Sequence, residues 1–195
     1  MSPDELLRPE RLWSRHEVLS RPSPVPRSPG VYAWCFQGLE SVPSAAYSLK
    51  AHGFRLLYIG ISPSAPPRNG KAPSSQSLQH RIRYHFSGNA EGSTLRLTLG
   101  CLLANELGID LRRVGSGKRM TFSTGESRLS EWMEENARVA WFLSEEPWKL
   151  EEELISTLDL PLNLAQNSRH GFHPELTRIR REAKAKAREL PILSR

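Results

Sequence analysis

Three short runs of strand-forming residues set the limits on this fold. Gly30–Phe36, the run 54–60 and Ala137–Leu143 are each rich in aromatic and branched side chains. The first two predict an antiparallel hairpin, and we expect its long connector to contain a turn of helix. The segments between the runs are predicted to be helices and loops. We therefore predict an α/β (α+β) fold, with a small three-stranded, mostly antiparallel sheet flanked by helices.

The remaining elements are predicted from caps, prolines and apolar periodicity. Ser77 can cap a helix that runs to about residue 86. Ser144, followed by two acids, marks the start of a helix that ends near residue 158. The proline-rich stretch 21–29 is predicted to be extended. Further predictions are a short helix within 4–19, a loop over 62–76, helices over 94–107 and 127–136, and a hairpin over 112–122.

Positive charge is concentrated at the end of the chain. The net charge is +6, and from residue 169 onward Lys and Arg clearly outnumber Glu. A final helix starting near residue 174 is predicted to carry an apolar stripe and an opposite basic face. Clustered cations favour a polyanionic partner, although a solubilising helix face explains the same pattern. Our candidate nucleic-acid contacts are those on this helix and on the hairpin tip: Arg178, Arg181, Lys184, Arg188, Arg112, Arg113, Lys118 and Arg119.

The composition excludes several classes of protein. No apolar run is long enough to cross a bilayer, and the first residues do not have the pattern of a secretory signal. Cys35 and Cys101 lie far apart, outside any metal-ligand spacing, and are too few for a disulfide scaffold. We expect both thiols to be reduced, the protein to be cytoplasmic, and no membrane to be a partner.

Arg81 and His85 are four residues apart and project from one side of a predicted helix, next to Leu78. A cation and a proton carrier are expensive to bury against a sheet unless they have a function. For this helix alone, a solvated Arg and His is the simpler interpretation.

The helix after Pro147 carries three consecutive acids, of which only Glu151 falls within the apolar stripe. Glu152 and Glu153 are predicted to point away from that stripe. A carboxylate on an apolar face needs a cation or a metal ion to offset its desolvation. A side chain at the edge of the stripe that reaches out to water is an equally good interpretation.

An ordered series of motifs extends over residues 29–163. Its members are Gly30-Val31-Tyr32, Tyr58-Ile59-Gly60, Arg81 with His85, Glu151 followed by Leu154-Ile155, and Pro161 with Asn163. No single motif is specific, but taken together in this order they resemble the GIY-YIG nuclease superfamily. The chain departs from the family pattern in its long connector between the two tyrosines. It also carries an insertion of about fifty residues, approximately 87–136.

The resemblance implies a metal-dependent endonuclease that hydrolyses phosphodiester bonds in DNA by one-metal water attack, without a covalent intermediate. It implies that Glu151 is the metal ligand and that the cofactor is Mg²⁺ (or Mn²⁺), a hard Lewis acid that keeps most of its waters. Tyr32 resembles the residue that activates the attacking water. Because a phenol is a weak base at neutral pH, Tyr32 must then act beside the metal or another cation.

The resemblance assigns supporting roles to four further residues. Arg81 is expected to bind the scissile phosphate and stabilise the charge of the transition state. His85 and Tyr58 are expected to position phosphate or water and to share proton transfer. Asn163 is expected to fix the end of its helix and the local hydrogen bonds.

The predicted organisation has three parts: an N-terminal helix and lead-in (1–28), a nuclease domain (29–167), and a basic C-terminal helix (168–195). One alternative is a catalytically inactive GIY-YIG-fold protein that binds nucleic acid. Another is an unrelated basic α/β protein that binds RNA or a protein partner. DNA is the expected partner of the nuclease. Because a single active site cuts one strand at a time, cleavage of both strands requires a homodimer or two successive binding events.

Overall fold

The computed structural model describes residues 4–47, 49–67 and 74–193. Six strands are formed by Gly30–Phe36 (β1), Lys50–Ala51 (β2), Phe54–Ser62 (β3), Arg112–Val114 (β4), Arg119–Thr121 (β5) and Ala137–Leu143 (β6). The helices are Asp4–Leu7 (α1), Arg15–Leu19 (α2), Leu78–Ser87 (α3), Thr94–Leu102 (α4), Ala104–Leu107 (α5), Gly125–Asn136 (α6), Pro147–Thr157 (α7) and His173–Glu189 (α8). A 3₁₀ turn at Ser44–Ala46 confirms the helical turn predicted in the connector.

The main sheet has four strands in the order β2-β3-β1-β6, and all its pairs are antiparallel. The prediction of three strands was therefore wrong by one. The additional strand, β2, has two residues and pairs with the start of β3. The predicted basic hairpin forms a separate two-stranded sheet from β4 and β5.

Both faces of the sheet are buried, because alternate residues of β1 belong to two different apolar clusters. Tyr32 and Trp34 pack in the larger cluster with α3, α4, α6 and α8. Val31 and Ala33 pack in the smaller cluster with α1 and α7. Residues of β1 are buried throughout, as expected for a central strand. The sheet therefore separates α3 from α7, which carry the two motifs of greatest chemical interest.

Several predicted helices begin or end differently in the structure. The segment 4–19 forms two short helices instead of one, and 94–107 is divided at Leu103 into α4 and α5. Ser77 caps α3 as predicted, by accepting a hydrogen bond from the His80 N–H. Ser144 is not the cap of α7, because the helix begins at Pro147 with Glu146 before it. Proline at the first helical position fixes the backbone angle that starts the helix.

The inserted segment and the last helix are both part of the larger core. The insertion contributes the buried side chains of Leu95, Leu99, Phe122 and Leu129, among others. On α8 the predicted apolar stripe packs inward, with Leu176 and Ala187 buried and Ile179 and Ala183 partly buried, and Phe172 ahead of the helix is also buried. In the described part of the chain, no helix is both long and apolar enough to span a membrane.

Candidate active site

A pocket of about 910 Å³ lies beside Gly60 near the end of β3. Tyr32 and Tyr58 reach it from the sheet, Arg81 from α3, and Glu151 from α7. Because α3 and α7 pack on opposite faces of the sheet, the pocket is the place where both helices approach the same strand end. Four of the six predicted catalytic side chains therefore share one cleft, whose volume is within the range of ligand-binding clefts.

The glycines of the motifs are explained by close contacts that leave no space for a side chain. A Cβ on Gly60 would lie 2.5 Å from the Tyr32 hydroxyl oxygen, because the phenol ring lies across this position. Tyr32 and Gly60 are also direct partners in the β1–β3 register. A Cβ on Gly30 would lie 2.3 Å from the carbonyl oxygen of Phe142 on the neighbouring strand β6. Gly60 thus allows the tyrosine of one motif to extend over the glycine of the other.

His85 does not line the pocket but is hydrogen-bonded behind it. Its Nε2 lies 2.9 Å from the Tyr32 hydroxyl oxygen, and its Nδ1 lies 2.7 Å from Ser93 Oγ. All three side chains are buried. Ser93 belongs to the inserted segment and was not predicted as a site residue. Its sequence signal is only that of a helix cap, since its Oγ also accepts the Arg96 N–H of α4.

The neutral imidazole of His85 can donate through one ring nitrogen and accept through the other. Burial, followed by the charges of Arg81 and Arg96, holds the pKa of His85 well below its usual value, so the ring is neutral. Ser93 already accepts one hydrogen bond, and donation of its hydroxyl proton to His85 Nδ1 gives that buried proton an acceptor. In the tautomer in which Nδ1 accepts from Ser93, Nε2 donates to the Tyr32 oxygen; in the other tautomer, Nδ1 donates to Ser93 and the Tyr32 hydroxyl donates to Nε2.

A buried ion pair within the insertion supports the same end of α3. The Arg96 guanidinium, which is fully buried, lies 2.8 Å from the Glu126 carboxylate. Arg96 Nη1 also donates to the carbonyl oxygens of His85 and Phe86, each at 3.3 Å. Breaking such a buried pair leaves an uncompensated charge. The insertion therefore fixes both the side chain and the backbone of His85.

The two tyrosines are neutral phenols in the free protein. Burial holds the pKa of Tyr32 far above its usual value of 10, and the adjacent Arg81 only partly opposes this effect. Burial likewise raises the pKa of Tyr58 to about 12, while Arg81 and Arg180 lower it. Arg180 of α8 was not predicted as a site residue; its guanidinium donates to Thr98 Oγ1 at 3.2 Å.

Glu151 is half-buried at the pocket wall, and burial raises the pKa of its carboxyl group to about 7. The neighbouring Glu152 also borders the pocket, at its exposed rim, which the helical pattern did not predict. Glu153 is exposed and does not border it. Glu152 and Glu153 are both exposed, as the helical wheel predicted, although Glu152 borders the pocket.

The donor atoms of the pocket fit a hard divalent cation held by few protein ligands. Over the described ranges, no three His, Cys, Asp or Glu side chains form a cluster that could hold a metal ion. The pocket does offer carboxylate and phenol oxygens from Glu151, Glu152, Tyr32 and Tyr58. Mg²⁺ prefers oxygen ligands and keeps several waters, so one carboxylate and a substrate phosphate satisfy its requirements.

Asn163 lies outside the pocket and fixes a strand instead of the end of a helix. Its side-chain oxygen accepts the Ile59 N–H at 2.9 Å, and its side-chain nitrogen donates to the Ile59 carbonyl at 2.7 Å. The N–H of Leu162 donates to the carbonyl of Leu57, so this segment follows the edge of β3. Asn163 thereby holds the strand between Tyr58 and Gly60.

The residues predicted to contact nucleic acid differ in whether they already form hydrogen bonds or ion pairs within the protein. Arg112 and Arg113 donate to the backbone carbonyls of Pro191 and of Ala187 and Leu190, which attaches the end of the chain to the hairpin. On α8, Arg178 forms ion pairs with both Glu175 and Glu182. The more accessible cations are the exposed Lys118, Arg119, Arg181 and Arg188, together with the half-buried Lys184.

Comparisons with known proteins give one match. The family model described as GIY-YIG catalytic domain matches residues 30–182, which is most of the chain and includes every motif residue described above. None of the curated proteins and none of the solved structures compared with the chain matches it.

Proposed function

The chain belongs to the GIY-YIG family of endonucleases, and we propose that it hydrolyses phosphodiester bonds in DNA with the help of one divalent metal ion. The observation that carries the proposal is the convergence of Tyr32, Tyr58, Arg81 and Glu151 on one pocket, although they are separated by more than half of the chain.

Arg81 is the residue that we assign to the scissile phosphate. One guanidinium nitrogen, Nη1, donates to the Gly92 carbonyl at 2.9 Å, which orients the side chain. In the described part of the chain, no carboxylate forms a salt bridge with Arg81. Its positive charge therefore remains available for a phosphate oxygen and for the charge that develops in the transition state.

Tyr32 is the residue that we assign to the attacking water. Tyr32 borders the pocket and its hydroxyl oxygen lies 2.9 Å from His85 Nε2, so the hydroxyl group can hold a water by hydrogen bonds. As a neutral phenol it does not remove a proton unaided, because burial disfavours its anion. Additional positive charge in the pocket would favour loss of the Tyr32 hydroxyl proton to solvent, and the resulting phenolate oxygen could then accept the proton of water. Since the nucleophile is water, no covalent intermediate forms on the protein.

Glu151 would hold the divalent ion, which we propose to be Mg²⁺ (or Mn²⁺). When bound, such an ion supplies the positive charge that polarises the phosphate and acidifies water. Glu151 must be ionised to act as a ligand, and its pKa of about 7 makes this possible above neutral pH. Tyr58 would assist by orienting phosphate or water, and Asn163 would support Tyr58 through its hydrogen bonds to the adjacent Ile59 of β3.

DNA contacts outside the pocket are assigned to the accessible cations of the hairpin tip and α8. These residues would bind phosphates and position the duplex without reading its sequence. A homodimer would bring two such sites to opposite strands. Cys35 and Cys101 are free and buried, and we propose a cytoplasmic location.

The proposal is tested by replacing the metal-binding carboxylate and a matched neighbour. Glu151→Gln is expected to reduce nicking of supercoiled DNA in Mg²⁺ by at least about 100-fold, because it removes the interaction that holds the ion. Binding of DNA in EDTA should be unchanged or tighter, since a negative charge is lost. Glu153→Gln, on the same helix but outside the pocket, is the control and should cleave as fast as the parent.

Two outcomes would contradict parts of the proposal. Cleavage by Glu151→Gln at the parental rate would exclude Glu151 as the metal ligand. DNA binding by the parent protein without cleavage in Mg²⁺ or Mn²⁺ would instead identify the non-catalytic alternative.

A further inference from the structure

Trp148 differs from the other tryptophans of the chain in where it packs. Trp34 and Trp132 are buried in the larger core cluster, and Trp13 and Trp141 pack against it. Trp148 belongs to neither apolar cluster and is only half-buried. Among the described residues it also forms no aromatic pair. Its indole therefore has no evident structural partner of the kind that an indole of this size usually finds.

The side chain instead borders the active-site pocket. Trp148 lies one helical turn before Glu151 on α7, so both project from the same side of the helix. Arg81 and the two tyrosines form another part of the wall. The cleft thus combines a phosphate-binding cation and the proposed metal ligand with a large, flat apolar surface. A volume of about 910 Å³ leaves room for more than a phosphate group.

A nucleobase is the part of DNA that matches such a surface. Bases stack on aromatic side chains through their flat faces, with little dependence on sequence. In a continuous duplex, neighbouring bases cover both faces of each base, so the stack must open before an indole can enter. An unpaired nucleotide next to the cleavage point presents its base without the free-energy cost of opening the base stack.

We propose that Trp148 stacks on an unpaired base beside the scissile phosphate, so that the preferred substrate carries single-stranded nucleotides at the cut, as in a flap or gap. This inference rests on the proposed nuclease function and specifies its substrate class. Trp148 acts as a binding and specificity residue, and the chemistry remains with the residues assigned above.

The test compares a flap and a continuous duplex of the same sequence, cleaved in Mg²⁺. Trp148→Ala is expected to reduce kcat/KM on the flap by about 5- to 150-fold, the usual contribution of one base stack. The loss on the duplex should be much smaller. Trp148→Phe keeps an aromatic face and should recover most of the activity on the flap. Trp13→Phe, at a tryptophan packed on the core, is the control and should behave like the parent on both substrates.

A binding measurement tests the contact itself. Flap DNA with 2-aminopurine placed at successive positions near the junction is bound in EDTA, where cleavage is prevented. Quenching at one or two positions is expected with the parent and with Trp13→Phe, but not with Trp148→Ala.

The outcomes separate this inference from the proposed function. Equal losses on flap and duplex, or unchanged quenching in Trp148→Ala, would overturn the stacking role while nuclease activity stands. A parent protein that cleaves neither substrate would overturn the nuclease proposal and this inference with it.

Discussion

Ionisation of Glu151 is expected to lower the stability of the fold at high pH, and replacing Glu151 with an uncharged residue should remove this effect. Its carboxyl group is ionised at high pH in a site that disfavours the charge, because burial raises its pKa from 4.5 to about 7. The unfolded chain has no such burial, so its carboxyl group titrates near the ordinary value. Glu151→Gln keeps the shape and polarity of the side chain and removes the ionisation.

The size of the effect follows from the difference between the two pKa values. Each pH unit between them corresponds to 1.36 kcal/mol, so a rise from 4.5 to about 7 amounts to about 3 kcal/mol. The folded state binds more protons than the unfolded state in this interval. Stability is therefore fully present below pH 4.5 and is lost as the pH rises through 7. At pH 8 the parent should be about 3 kcal/mol less stable than Glu151→Gln, and at pH 5 less than about 1 kcal/mol.

The assay is urea unfolding of the two proteins at pH 5 and pH 8 in EDTA, followed by circular dichroism. The informative quantity is the change in the stability difference between the two pH values, about 2 to 3 kcal/mol. It is independent of any pH-insensitive contribution of the glutamine itself. In a thermal scan, 3 kcal/mol corresponds to about 6 to 12 °C for a chain of this size. Glu153→Gln, at an exposed position of the same helix, should show no comparable pH dependence.

A stability difference that is the same at both pH values would refute the reasoning, because it would mean that Glu151 ionises in the fold as readily as in the unfolded chain. A stability difference that shifts in favour of the parent between pH 5 and pH 8 would also refute it, since the carboxylate would then have an internal partner that the structure does not contain in its described residues.

Two further predictions concern the support of the site and its DNA contacts. Ser93→Ala should lower kcat by about 10-fold with little change in KM, because His85 loses its hydrogen-bond partner at Nδ1. Ser93→Thr, which keeps the hydroxyl, should restore kcat, whereas a purely structural role for Ser93 would also alter KM. Replacing the exposed Arg181 and Arg188 with alanine should reduce the slope of log K against log salt concentration by about 1.8. An unchanged slope would remove this face of α8 from the DNA interface.

The elements with strong local signals could be predicted from the sequence. The bounds of β6 agree with the prediction because a compact run of apolar and branched residues ends at a serine and two acids. The cap of α3 is likewise a local feature. β2 could not be predicted, because two residues carry no periodic pattern and form a strand only through pairing with β3. Ser144 looked like a cap, but the fixed backbone of Pro147 determines where the helix begins.

The supporting residues of the site could not be predicted for a different reason. Arg96 resembles any solvent-facing arginine in the sequence, and its buried position depends on Glu126, thirty residues away. Ser93 carries only a capping signal, although its hydroxyl also contacts His85. Neither pairing has a sequence period that could indicate it. The sequence pattern therefore indicates only an insertion, whereas in the structure the Ser93 and Arg96 side chains of that insertion contact His85.

Burial favours the neutral form of four titratable groups in and directly behind the pocket, and this links the chemistry of the site to its fold. It disfavours the anions of Tyr32, Tyr58 and Glu151 and the cation of His85. The motifs identify these side chains, but their protonation depends on α7, α8 and the insertion, which cover them from distant parts of the sequence. Arg81 then supplies positive charge in the pocket, which favours binding of a phosphate whether or not Glu151 is ionised. A divalent ion that entered with the phosphate would favour the ionised form of Glu151, which the fold alone disfavours at neutral pH.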